Sequence, residues 1–172
     1  MSVLTIESVE VNLITTSATA VTNMIFRVLL DIARERGLSS SYLADLREVI
    51  QKGLFTWLSE EALKFLRFEV SFPNSNKALE VFELNFEYIA NGNRDLQKPN
   101  IQRLHEFCSQ LAALPQGVQY VIKVHNESWA SQVEGWVPTT FKEVDGDSRD
   151  LEGGGFAYGS IAASVSYRGS KW

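Results

Sequence analysis

The stretch from Glu134 to Trp172, EGWVPTTFKEVDGDSRDLEGGGFAYGSIAASVSYRGSKW, constrains the fold of this chain most. It holds seven of the eleven glycines, among them the run Gly153, Gly154 and Gly155. It also carries Trp136, Phe141, Phe156, Tyr158, Tyr167 and Trp172, and no residue from Phe156 to Tyr167 is charged. Such a segment is too apolar to stay solvated and too rich in glycine to form a helix. It must lie as strands and loops on a surface that the rest of the chain supplies. Two arrangements are open: a hairpin that completes a sheet, or a movable element that closes over a partner.

The remaining residues read as that surface. With 172 residues the chain is long enough for a single domain with its own core. A net charge of −5 gives no attraction to nucleic acid or to an anionic membrane, so neither is expected as a partner. One cysteine, Cys108, excludes a disulfide framework and suits a reducing, cytoplasmic setting. The first fifteen residues carry two glutamates and no Lys or Arg, unlike a secretory leader. No apolar run approaches the roughly 20 residues of a membrane span.

Residues 6 to 14 alternate, with Val9, Val11 and Leu13 on one side, which predicts a short strand or extended arm. Thr16 and Ser17 can cap a helix over Ala18 to Arg36, whose apolar stripe is Val21, Met24, Ile25, Val28, Leu29 and Ile32. Gly37 then stops it. A second helix is predicted over Tyr42 to Leu58, with Gly53 marking a break. Leu66 to Phe72 and Val81 to Ile89 alternate as two strands joined by a turn at Asn74 to Asn76, and should pair as an antiparallel hairpin. After a polar loop over Ala90 to Lys98, Pro99 opens a third helix with the stripe Ile101, Leu104, Cys108, Leu111 and Leu114. Val118 to His125 is a third strand, and Val121 on its other side suggests that both faces are partly covered. Helices between grouped strands give an α+β class, with helices on one face of a mostly antiparallel sheet.

Chemistry is hard to find in this chain. His105 and Cys108 share a helix face, a spacing at which a thiolate–imidazole pair can form, but a small buried cysteine beside a bordering histidine is the better reading. The acidic run Asp145 to Glu152 has Arg149 where a calcium loop needs a ligand, and lacks that loop's central glycine. Gly153 to Gly155 is followed by no Lys-Ser/Thr, so it is no phosphate cradle, and a hinge is the better role. Glu83 and Glu87 fall on the polar side of their strand. The expectation is a protein that is not an enzyme and uses no metal or cofactor. On the residues alone, a small-ligand-binding α+β domain, its pocket lined by the hairpin aromatics, remains an alternative to a binding switch.

The ordered pattern resembles a known family. Ser17 to Ile32, Phe55 to Leu58 with Leu63 to Phe72, Phe82 to Tyr88, Leu114 to Val124, Glu134 to Trp136, Thr139 to Phe141 and Ser166 to Arg168 are similar, in order and spacing, to the bacterial HORMA-domain proteins of cyclic-oligonucleotide antiphage (CBASS) operons. The arm before the first helix, Val9 to Ser17, is less polar than in other members. The resemblance implies a single domain with an arm (1–16), a core (17–126) and a C-terminal safety belt (127–172). It implies a peptide-binding signalling adaptor that traps a closure-motif peptide and binds and activates a cGAS/DncV-like nucleotidyltransferase. A AAA+ remodelling ATPase and a second HORMA protein are further implied partners, the latter reading Arg168 to Trp172 in a variant where this chain is scaffold or ligand. By position, the peptide would add beside Tyr120, Val121, Ile122, Lys123 and Val124. Trp136 would anchor the belt, and Gly153, Gly154 and Gly155 would hinge it.

Overall fold

The computed structural model describes residues 2–89 and 94–169, with side chains from Thr15 onward. In chain order the elements are helix α1 (Ser2–Glu35), α2 (Ser41–Asp45) and α3 (Arg47–Ser59), strands β1 (Leu63–Ser71), β2 (Lys77–Ala78), β3 (Glu80–Tyr88) and β4 (Arg94–Gln97), helix α4 (Ile101–Ser109), then strands β5 (Gln119–Asn126), β6 (Glu143–Val144), β7 (Arg149–Asp150), β8 (Phe156–Gly159) and β9 (Ile161–Gly169). Among the described residues no helix is long and apolar enough to cross a membrane.

The predicted strand over residues 6 to 14 is not formed, because α1 already runs through it. No glycine or proline separates that stretch from the strong helix after it. Extending an existing helix is far easier than nucleating one, so a weak alternation gives way. Thr16 and Ser17 therefore lie inside α1 and do not cap it. Its end is as the sequence indicates: Gly37 has φ +67° and Leu38 N–H reaches back to Ala33 O. The second predicted helix is interrupted at Leu46, and Gly53 sits within the unbroken α3. Of the loop foreseen over Ala90 to Lys98, residues 90–93 lie outside the described residues and Arg94–Gln97 is a strand on β8. Helix α4 is shorter than its stripe suggests, with Asn100 Oδ1 capping it by accepting from Arg103 N–H.

One sheet runs in the order β4-β8-β9-β3-β1-β5, with β7 added on β9. The β1–β3 pairing is antiparallel, with Phe68 opposite Phe82 and Leu66 opposite Leu84. These residues are buried with Ile122, Val165 and the α1 stripe in one core between sheet and helices. A side-chain period of two sends Phe65, Arg67 and Glu69 to the other face of the sheet. On that second face runs the chain after β5.

Two buried ionic groups tie elements together. Glu80 on β3, with no exposed surface, accepts from Arg36 Nε at 2.7 Å, Arg36 Nη2 at 3.1 Å and the Tyr167 hydroxyl at 2.9 Å. Burial, reinforced by the Glu80 carboxylate, pushes the Tyr167 phenol above its ordinary range, so it stays a donor. This group fixes the end of α1, β3 and β9 to one another. The second is Glu69 with Lys123, on the far face of the sheet.

Candidate functional site: a sheet edge under a strap

Among the described residues β5 pairs only with β1, so its outer edge is open. Ile122 N–H points along that edge, with the Tyr42 hydroxyl 3.5 Å away. Backbone groups alternate along a strand, so Val124 offers its N–H and C=O to the same side. An open edge is a template for another extended chain.

The chain after β5 makes an arch around this edge. Glu127 N–H first bonds Ala62 O. The strap then follows α3: Ser131 O accepts from Trp57 Nε1 at 2.8 Å, and Glu60 accepts from Ser131 N–H at 2.9 Å and from its hydroxyl. Trp136 comes next, donating from Nε1 to Val49 O at 2.9 Å and meeting Trp57 edge-on at 5.0 Å. From there the strap crosses to the opposite face of the sheet. Lys123 Nζ donates to Glu69 Oε1 and to Thr140 O, both at 2.7 Å. Lys142 N–H donates to Glu69 Oε2 at 3.2 Å, and Lys142 Nζ to Ser71 Oγ at 2.8 Å. Phe141 lies between Phe65, His125 and the Arg67 guanidinium. Between edge, α2–α3 and strap runs a groove of about 770 Å³, lined by Leu46, Val49, Val121, Val124, Trp136 and Val137 among others.

Of the residues the sequence singles out, Val121, Ile122, Lys123 and Val124 line this groove together with Trp136. Tyr120 does not. Its ring stacks on Phe68 at 4.5 Å and its hydroxyl donates to Ser39 O, so it supports β5 from the core side. Gly153, Gly154 and Gly155 lie apart from the groove, before β8. Gly153 has φ +73°, and a Cβ on Gly155 would come within 2.8 Å of Ala163 O. There the glycines allow a tight turn to press on β9.

Two contributors escape sequence reading. Glu69 looks like an ordinary polar-face residue but is fully buried under the strap. Gly53 looks like a helix breaker, yet a Cβ there would overlap Trp136 Nε1. The signal for Glu69 is present in part: a glutamate and a lysine set diagonally on paired strands, Glu69 opposite Val121 and Lys123 opposite Arg67. No local signal marks Gly53.

The residues that could have carried chemistry are engaged otherwise. His105 Nδ1 pairs with Glu35 at 2.7 Å. Burial pushes the Cys108 thiol up to about 12. It is therefore protonated at neutral pH, and the thiolate is the reactive form. Folded protein at pH 8 is expected to react with iodoacetamide far more slowly than protein unfolded in guanidinium. Equal rates would contradict the buried setting of Cys108. Among the described residues, no three His, Cys, Asp or Glu side chains converge as a metal ion requires. Glu83 pairs with Arg67 at 2.8 Å.

Comparison with known proteins bears on this arrangement. Residues 6–171 match the family model described as Bacterial HORMA domain 2. No curated protein sequence matches the chain. Among solved structures, a chain of the mitotic checkpoint complex superposes with a TM-score of 0.71 at 13% identity, over 88% of this chain and 97% of that one. HTP-1 of C. elegans, bound to HTP-3 motif-1, gives 0.67 at 17% identity, over 87% and 88%. The E. coli MS115-1 CdnC:HORMA-deltaN complex gives 0.65 at 13%, over 92% and 90%. At these identities the likeness establishes the fold: α+β, helices on a mostly antiparallel seven-stranded sheet, as the sequence leads one to expect.

Proposed function

Because the chain belongs to the bacterial HORMA domain 2 family, we propose that it is a non-catalytic adaptor that captures a closure-motif peptide along β5. The observation that carries this reading is the open edge of β5, faced by a groove and arched over by residues 127–142. A peptide laid there would continue the sheet through backbone hydrogen bonds to Ile122 and Val124, while side chains facing α2, α3 and the strap would set selectivity. Trp136 anchors the strap on the helix side, and the Glu69–Lys123 pair fastens it on the other. Gly153 to Gly155 serve as the hinge by which the segment up to β8 lifts.

The C. elegans protein was solved with a motif of another protein, and the E. coli protein with CdnC. Carried to this chain, those pairings suggest two partners: a closure motif, and a cGAS/DncV-like nucleotidyltransferase bound and activated by the peptide-loaded form, in cytoplasmic antiphage defence. Releasing a peptide held under a fastened strap calls for an energy-consuming remodeller, the role of a AAA+ ATPase. The small-ligand alternative asks for a cavity lined by the aromatics of β1 and β3. The groove is lined by α2, α3, β5 and the strap instead.

Hydrogen exchange tests the capture reading. Without peptide, amides of residues 127–142 are expected to exchange quickly; a bound peptide should slow them, together with Ile122 and Val124. If no member of a peptide array binds, and truncation at Glu134 leaves nucleotidyltransferase binding intact, the proposal is wrong. In the variant reading, the C-terminal segment is itself the bound motif. Residues 170–172 of that segment lie outside the described residues, and deleting Arg168 to Trp172 would then abolish pairing with a second HORMA protein.

A further inference from the structure

We infer that the groove selects peptides carrying a Lys or Arg side chain, read by Glu134; the inference rests on the peptide-capture reading above. Two charged residues line the groove, Lys123 and Glu134. The Lys123 ammonium is already engaged by Glu69 and Thr140 O and is 9% exposed. Glu134 is exposed and makes no ion pair among the described residues. The groove therefore presents one unbalanced negative charge.

A second, independent feature has the same polarity. Asn126, half-buried, is a lining residue of the groove, and its enclosed Oδ1 has no hydrogen-bond partner among the described residues. A buried acceptor without a donor is unfavourable, so a ligand that brings donors is preferred to one that brings acceptors. The walls are apolar: Leu46 and Val137 are 37% and 80% exposed, with Val49 beside them. A basic side chain fits all three conditions. Its aliphatic stem lies along apolar surface while its head supplies donors to a carboxylate or an amide oxygen. An acidic or amide side chain would bring acceptors to acceptors.

The test uses the full chain and a fluorescein-labelled pool of extended peptides randomised over about eight positions, a length of strand that spans one edge. Peptides enriched from the pool are expected to share a Lys or Arg at one fixed position. Replacing that residue by norleucine should weaken binding about tenfold near 0.15 M salt, and by Glu further. In Glu134→Lys the order should invert, with the Glu peptide the tightest. In Asn126→Leu the basic peptide should weaken severalfold while the norleucine peptide holds. Enriched peptides without a shared basic residue, or a preference untouched by Glu134→Lys, would overturn the inference and leave peptide capture standing. A wild-type chain that enriches no peptide would overturn both.

Discussion

Glu69→Ala is expected to lower the melting temperature by roughly 6–20 °C, the equivalent of about 3–5 kcal/mol in a domain of this size. The carboxylate is fully buried and holds three things at once: the Lys123 ammonium, the Lys142 N–H and, through Lys123, the carbonyl of Thr140. Removing it leaves Lys123 charged and almost without solvent, and detaches the strap where it crosses the sheet. Truncating one member of a buried ion pair is far more damaging than replacing both. The double variant Glu69→Leu with Lys123→Met should accordingly regain most of the lost melting temperature. It should not regain the strap contact at Thr140 and Lys142, so with peptide present, when the wild-type strap is slowed, exchange in residues 139–143 stays fast in both variants. Calorimetry and hydrogen exchange separate the two effects. An unchanged melting temperature in Glu69→Ala would mean that this pair fastens nothing.

Gly53→Ala should weaken peptide capture by about tenfold to a hundredfold, against the sign that helix propensity gives. In an exposed helix the exchange would gain about 1 kcal/mol. Here the added methyl overlaps Trp136 Nε1 and meets its Cε2 at 2.8 Å and Trp57 Cζ3 at 2.9 Å. Helix α3 is packed into the core through Ile50, Leu54 and Leu58, whereas Trp136 sits on a strap held by a few contacts. The easier relief is for the indole to leave, losing its hydrogen bond to Val49 O and its edge contact with Trp57. Overpacking of this kind typically costs about 1–3 kcal/mol, enough for the stated loss in affinity. Trp136→Ala should weaken capture similarly. Combining the two should be little worse than Trp136→Ala alone, since the methyl then meets only the edge of the Trp57 ring. Additive losses would mean that Gly53 acts by some route other than the indole.

How much of this was legible beforehand follows from what each residue depends on. Phe68, Phe82 and Ile122 declare themselves because alternation is local, and burying one face fixes the register of β1, β3 and β5. Of the edge residues Tyr120 to Val124 and the indole of Trp136, which a family resemblance implies, Val121 to Val124 and Trp136 line the groove, whereas Tyr120 packs inward on Phe68. Glu69 and Gly53 escape a local reading because residues that cover them, Lys142 and Trp136, come late in the chain. A polar residue on a strand's outer face is solvated until something covers it. A glycine in a helix weakens it until an indole fills the space. The N-terminal error is of another kind. Val9, Val11 and Leu13 satisfy a period of two, but nothing between them and α1 stops the helix from continuing.

The strap is fixed on both sides of the edge, at Trp136 and at Glu69, which makes the passage along β5 a ring rather than a shelf. On a shelf, each guest leaves at a rate set by its own contacts. Through a ring, guests leave no faster than the ring opens, whatever their contacts. Dissociation rates for strongly and weakly held peptides should therefore converge on one value, a property of the protein and not of the guest. If it captures peptides as proposed, a chain built this way would keep a record of a past encounter for a time that its own fastenings determine.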